Sequence, residues 1–245
     1  MCTLVLAHKV FPGAPLVVAA NRDEFLDRPS SGPRVYAGAP RVLMPRDEVA
    51  KGTWLGLNEH GLFVGITNRA GHPNETTRRS RGEIVAHALR ARTARELHRQ
   101  MGLLAPGTYN AFHLLYADGQ DAFVSWSNGR ELAQYNVAPG VHVVTERSLG
   151  ADDRGRTERL EAHFRADVAG HAPTLARLKT LLTLHGTAAE PMSGSCIHAP
   201  GFNYGTRSSL VYVSGPAPMA AWSEGPACEG RWADITPLVR ELMLA

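Results

Sequence analysis

Short apolar runs bounded by Gly/Pro turns recur along this chain in pairs, and that pattern restricts it to antiparallel β-sheet with helices between. Thr3 to His8 and Leu16 to Ala20 flank the turn Phe11-Pro12-Gly13-Ala14-Pro15. Thr53 to Leu57 and Leu62 to Ile66 flank Asn58-Glu59-His60-Gly61, a hairpin by its turn chemistry. Tyr109 to Tyr116 and Ala122 to Trp126 meet through Asp118-Gly119, and Val141 to Thr145 reads as a further strand. Pro29 to Pro45 reads as a connection without regular structure. Gly205 to Ser214, Met219 to Ser223 and Arg231 to Asp234 close the strand set before a short helix ending at Leu242.

Helical periodicity falls in three places. Ser80 to Gln100 carries Ile84, Val85, Ala88, Leu89, Ala91 and Leu97 on one face, with Ser80 and Glu83 in capping-box spacing. Arg154 to Val168 and Pro173 to His185 are the other two. Hairpins, then helices, then strands again predict an α+β fold with two β layers and helices packed outside them, not a βαβ parallel sheet. No internal repeat or composition break divides residues 1–245, so one domain is expected.

Composition excludes several functions. Hydrophobic residues make up 44% and charged residues 20%, a globular balance. The net charge of +3 is carried almost wholly by Arg, and its densest group, Arg78, Arg79 and Arg81, opens a helix that contains Glu83, so no nucleic-acid footprint is expected. No apolar stretch is long enough to span a membrane, and the first twenty residues lack a charged leader and cleavage site. Three cysteines, Cys2, Cys196 and Cys228, are an odd, sparse set that fits free thiols in a reducing compartment, so a cytoplasmic location is expected.

Two motifs point to chemistry. In Met1-Cys2-Thr3 the small second residue suits removal of Met1, which would leave Cys2 with both a thiol and a free α-amine able to take its proton. Read alone, Cys2 is a small residue opening a strand, and only its context points further. Asn21-Arg22-Asp23-Glu24 follows the second apolar run directly, with alternation putting Asn21 and Asp23 on one face and Arg22 and Glu24 on the other. A carboxylate there would orient an N-terminal ammonium; a solvated ion-pair cluster at a strand end reads as well. A third pair, Cys196 and His198, shares a face if extended, but without partner ligands at standard spacing neither a metal site nor a cofactor is expected.

Met1-Cys2-Thr3 together with Asn21-Arg22-Asp23-Glu24, Gly52-Thr53-Trp54-Leu55-Gly56, Thr67-Asn68-Arg69 and Gly205-Thr206-Arg207-Ser208 resembles the NRDE family, also called transport and Golgi organisation protein 2-like. Ser80-Arg81-Gly82 and Tyr109-Asn110-Ala111-Phe112 add weaker matches. At greater distance the start of the chain and Asn58-Glu59-His60-Gly61-Leu62 resemble the choloylglycine hydrolases and penicillin V acylases, which are N-terminal cysteine amidases. The resemblance implies a four-layer αββα sandwich of the N-terminal-nucleophile hydrolase type. It also implies catalytic roles for Cys2, Asp23, Asn68 and Arg207, with Asn21, Arg22, Trp54 and Arg69 of the same motifs around the substrate. Two positions depart from the amidases: they carry an Arg a few residues before the acid, where this chain has Ala19, Ala20 and Asn21, and an Asn where it has Thr145-Glu146-Arg147.

The expected activity is hydrolysis of an amide C–N bond through an acyl-Cys2 intermediate, on a small-molecule substrate and without a cofactor. Because members of the family are linked to haem trafficking and lipid handling, the alternative is a non-catalytic carrier of haem or another hydrophobic metabolite.

Overall fold

The computed structural model describes residues 2–149, 155–168, 172–187 and 189–244. Met1 and Arg154, the latter expected to begin a helix, lie outside them.

β1 (Cys2–Phe11) and β2 (Ala14–Phe25) form the long first hairpin, with Cys2 opposite Arg22, Leu4 opposite Ala20 and Leu6 opposite Val18. β3 (Ser30–Tyr36), β4 (Val42–Asp47), β5 (Leu55–Asn58) and β6 (Phe63–Asn68) follow, then α1 (Arg81–Ala88) and α2 (Ala94–Met101). After these come β7 (Phe112–Ala117), β8 (Ala122–Ser127), β9 (Leu132–Asn136), β10 (Gly140–Val144), α3 (Gly155–Val168) and α4 (Leu175–Leu181). The chain ends through β11 (His198–Ala199), β12 (Tyr204–Val213), β13 (Met219–Glu224), β14 (Trp232–Asp234) and α5 (Thr236–Met243).

The strands make two seven-stranded sheets. One runs β10-β1-β2-β12-β13-β14 with β11 on the edge of β12, and the other runs β3 to β9 in chain order. All their ladders are antiparallel. Strand alternation sorts the first sheet cleanly. Leu4, Leu6, Leu16, Val18 and Ala20 face the second sheet, while Val5, Ala7, Val17 and Ala19 pack under α3 and α4 with Leu160, Phe164, Leu178 and Leu182. α1 and α2 cover the far side of the second sheet, which completes the αββα order. At the centre Gly65 makes room for Leu4: a Cβ on Gly65 would stand 3.0 Å from Leu4 Cδ1. Among the described residues no helix is long and apolar enough to cross a membrane.

Three expectations are corrected. The Pro29–Pro45 connection contains β3 and most of β4, whose proline is tolerated because β4 pairs with β5 only at Val42 and Leu43. β9 was not anticipated from sequence; its exposed Tyr135 and Asn136 dilute the apolar pattern. The helix expected over Ser80–Gln100 is two helices. Asn58 Nδ2 donates to the carbonyls of Leu89 and Ala91 (3.0 and 2.7 Å), ending α1. Thr93 then starts α2 by accepting from Glu96 N at 3.1 Å, while Glu96 Oε2 accepts from Arg92 N at 2.8 Å. At Ser80 the cap forms to Gly82 N, but Glu83 pairs with Arg79.

Candidate active site

Cys2, Arg22, Asp23, Trp54 and Asn68 come together in one cleft of about 90 Å³ at the open end of the sandwich, with Glu24, Arg28, Asp47, Thr53, Gly52 and Gly82 around them. Topology accounts for the meeting. β1 begins at Cys2 and β6 ends at Asn68, and these two strands face each other across the sheets at Leu4 and Gly65. Gly52 and Gly82 permit the rim: a Cβ on Gly52 would lie 2.6 Å from the Gly82 carbonyl carbon, so the start of α1 presses directly on the segment that carries Trp54 into β5.

The Cys2 side chain lies on the inter-sheet face, half-buried, and its sulfur receives a hydrogen bond from the Asp23 backbone N–H. Burial raises the thiol above its ordinary value, so it rests protonated. Directly across the ladder, Arg22 lies flat on Trp54 with its guanidinium carbon 4.2 Å from the ring centroid, and Nη2 donates to Asp47 Oδ2 at 2.9 Å. Its Nη1 is buried and has no partner. Asp47 is held by Arg28 as well (2.7 and 3.1 Å) and by the N–H groups of Val49 and Ala50. Burial raises the Asp47 carboxyl, but Arg28, the Ala50 N–H and Arg22 outweigh it and hold the group below the usual range. Arg81 stands near enough to Cys2 and Glu24 to feel their charge, and burial lowers its guanidinium.

Asp23 projects to the other face of β2, beneath the helices. Burial pushes its carboxyl up to about 6, against the opposing pull of Arg156 and a 2.7 Å bond donated by Thr206 Oγ1 to Oδ1. Thr206 reaches it because β12 carries a bulge: Thr206 pairs with Asp23 and Ser208 with Arg22, leaving Arg207 as the extra residue. Arg156 is itself buried, donating to Glu146 Oε2 (2.6 Å), Thr3 Oγ1 (2.9 Å) and the Gly194 carbonyl. Thus Glu146 carries an ion pair to Arg156, close enough for both charges to act on Asp23.

Three residues expected at the site lie elsewhere. Asn21 is sealed under the segment after α4, donating to Leu182 O and Ser195 O (2.9 and 2.7 Å) and accepting from Ser209 Oγ (2.6 Å). Arg69 turns inward over the Trp126 ring (4.1 Å) and donates to His113 Nε2 and the Leu149 carbonyl. Arg207 borders a neighbouring cavity and donates to Arg28 O at 3.3 Å. Arg28, Asp47, Arg156 and Thr206 were not picked out as site residues, and only Thr206, inside a quoted motif, left a trace in the sequence. Cys196 and His198 do share a neighbourhood, 3.6 Å apart, and burial pushes the Cys196 thiol up to about 12.

Solved structures share this architecture. The chain is similar to a conjugated bile acid hydrolase from Clostridium perfringens, with a TM-score of 0.58 and 11% identity over 91% of this chain and 89% of that one. It is also similar to the N-acylethanolamine-hydrolyzing acid amidase ortholog of Caenorhabditis elegans, with a TM-score of 0.56 and 10% identity over 86% of this chain and 92% of that one. The fold is therefore the αββα sandwich of N-terminal-nucleophile hydrolases. In sequence the chain is 28% identical over 226 residues to the Transport and Golgi organization protein 2 homolog of Homo sapiens, covering 81% of each. The family model for Transport and Golgi organisation 2 matches residues 1–217, and the chain belongs to that family.

Proposed function

We propose that this chain is an N-terminal cysteine hydrolase that cleaves an amide C–N bond through an acyl-Cys2 intermediate. The observation that carries this reading is the pairing, in one cleft, of the Cys2 thiol with a buried, unpartnered guanidinium nitrogen of Arg22. A buried cationic donor without an acceptor costs free energy unless a ligand or developing charge meets it.

The thiol rests protonated, so its proton has to leave as sulfur attacks. Removal of Met1 supplies the base, because the exposed Cys2 amine titrates near neutrality. Sulfur adds to the amide carbonyl as the amine takes the thiol proton, and the oxyanion is met by donors from Asn68 and Arg22. Collapse breaks the C–N bond, the departing nitrogen takes the proton from the Cys2 ammonium, and the acyl group remains as a thioester. Water, deprotonated by the same amine, then releases the acid and restores the thiol. Asp23, ionised above about 6, holds the ammonium form in place.

A cleft of about 90 Å³ with Arg22, Arg28, Glu24 and Asp47 in its walls suits a compact, polar substrate rather than a steroid or haem, for which pockets of roughly 300 Å³ or more are usual. The test is acid quenching of untagged protein mixed with a panel of small N-acyl amino acids and N-acyl amines, followed by intact mass and peptide mapping. An acyl adduct on Cys2 and release of free amine are expected. A Cys2→Ser variant that turns over these substrates at the wild-type rate would exclude the reading.

A further inference from the structure

A second constellation lies outside the cleft. His185, Cys196, His198 and Cys228 come from three separate stretches of chain, yet their ligand atoms all lie within 4.8 Å of one another. Cys196 Sγ is 3.6 Å from Cys228 Sγ and 3.6 Å from His198 Nε2, and His198 Nε2 is 3.1 Å from Cys228 Sγ. The His185 and His198 rings meet edge to face at 5.1 Å. Tetrahedral zinc, with bonds of about 2.3 Å to sulfur and about 2.0 Å to nitrogen, sets its ligand atoms about 3.3–3.8 Å apart. The observed separations bracket that range.

The local fold explains how residues so far apart in sequence converge. The Leu184 carbonyl accepts from both Ser195 N and Cys196 N (2.8 and 2.9 Å), which returns the chain onto itself and sets His185 beside Cys196. Gly186 and Gly194 are needed there: a Cβ on either would lie 2.3 Å from a backbone oxygen. From Cys196 the chain runs into β11 beside β12, with His198 opposite Gly205, and the short turn Ala227–Glu229 delivers Cys228. The four residues line a cavity of about 310 Å³ with Gly186, Thr187 and Pro191. Cys196 is buried, and the other three are exposed, so an ion can reach the site from solvent.

We infer that His185, Cys196, His198 and Cys228 form a closed, four-ligand site for one Zn²⁺ ion of the structural type. Two thiolates and two imidazoles match zinc in donor chemistry, and four protein ligands leave no open position for a reacting water. The sequence reading, which saw only Cys196 and His198, had no signal for this, because His185 and Cys228 stand at no standard ligand spacing from them. The ion would clip the 184–198 stretch to β12. That stretch bears on Asp23 through a chain of bonds: Ile197 N donates to Thr206 Oγ1 at 2.8 Å, leaving the Thr206 proton for Asp23 Oδ1.

The inference is independent of the hydrolase reading, and the experiment keeps them apart. Full-length protein purified with reductant is assayed for metal, stripped with chelator, and titrated with Zn²⁺ against a chromophoric competitor and with Co²⁺ alone. One zinc per chain is expected, with intense visible cobalt bands of a tetrahedral centre and a near-ultraviolet thiolate-to-cobalt absorption. Cys228→Ala and His185→Ala, both at exposed positions and checked for fold by circular dichroism, should each weaken binding by about a hundred-fold or more. Cys2→Ala should leave the zinc count at one. Three results would overturn the site: no stoichiometric uptake by reduced protein, uptake unchanged in both ligand variants, or a Cys196–Cys228 disulfide that persists under reductant.

Discussion

Arg22 stands opposite Cys2 on the β1–β2 ladder, and its side chain spans from the Asp47 carboxylate to a position in the cleft where its Nη1 meets no acceptor. The Asp47 bond fixes one arm of the guanidinium and leaves the other for a ligand. Arg22→Lys keeps the charge and loses the fork. Its kcat/KM toward substrates found by the acyl-trapping screen should fall roughly ten- to hundred-fold, the loss expected for one charged hydrogen bond. A Lys variant with unchanged kcat/KM would remove Arg22 from the site.

Cys2 should be the thiol that the fold activates once Met1 is gone. Untagged protein should show the mass of the chain lacking Met1 and should alkylate with iodoacetamide at Cys2 faster than at Cys196, whose thiol burial holds near 12. Blocking the amine with a retained Met1, by means of a large residue inserted before Cys2, should slow alkylation and abolish acyl transfer while leaving the melting temperature unchanged.

Asp23 ties pH to both activity and stability. Its folded value of about 6 lies above the ordinary 3.8, so ionising it costs folding free energy as pH rises from about 4 to about 6. Acyl transfer, which uses the ionised form, should therefore show an acid limb near pH 6. Asp23→Asn should lose that limb and most of the rate, yet be more stable than wild type at pH 7.5 by roughly 3 kcal/mol in urea unfolding. A less stable Asn variant would mean that the carboxylate's bonds outweigh its desolvation.

His113 gives the opposite sign. Burial, with Arg69 beside it, drops the imidazole to about 4 from 6.5. Nε2 lies 2.9 Å from both Arg69 Nη1 and the Ser148 carbonyl, and Nδ1 lies 3.1 Å from Thr67 Oγ1. The neutral ring contributes stability that is fully present above about 6.5 and is lost as pH falls toward 4, on the order of 3 kcal/mol. Denaturant midpoints measured across that window should fall in wild type and stay flatter in His113→Gln.

Gly52 and Gly82 set the cleft's rim by touching backbone to backbone. Gly52→Ala should cost roughly 1–3 kcal/mol, as overpacking does, and should displace Trp54 enough to change its fluorescence. An Ala variant with wild-type stability and emission would show that the contact relaxes freely.

The long apolar runs made the first hairpin and the two β layers legible, because alternation and turn residues act locally. The β3–β4 hairpin and β9 were hidden because partly exposed strands carry few apolar residues. The break between α1 and α2 had a local signal in Thr93-Ala94-Arg95-Glu96, overshadowed by the longer periodic stretch. Cys2 stood out as the residue after Met1, Arg22 and Asp23 as polar residues at a strand end, and Asn68 through the family resemblance. Asp47 and Arg156 did not, since their place depends on pairings between residues 25 and 10 positions apart that no periodicity encodes. Asn21, Arg69 and Arg207 share motifs with site residues but answer to packing and to the β12 bulge.

β2 carries Arg22 into the cleft and Asp23 beneath the helices, while β1 on one edge and β12 on the other fix its register. Inserting or deleting one residue between Leu16 and Arg22 would exchange the two faces, sending a carboxylate toward Cys2 and a guanidinium under α4. This strand can therefore diverge among relatives by replacing side chains but not by changing its length. Drift in length has to be absorbed in the surface segments on either side, and the polar tetrad is in effect a ruler against which the rest of the domain is measured.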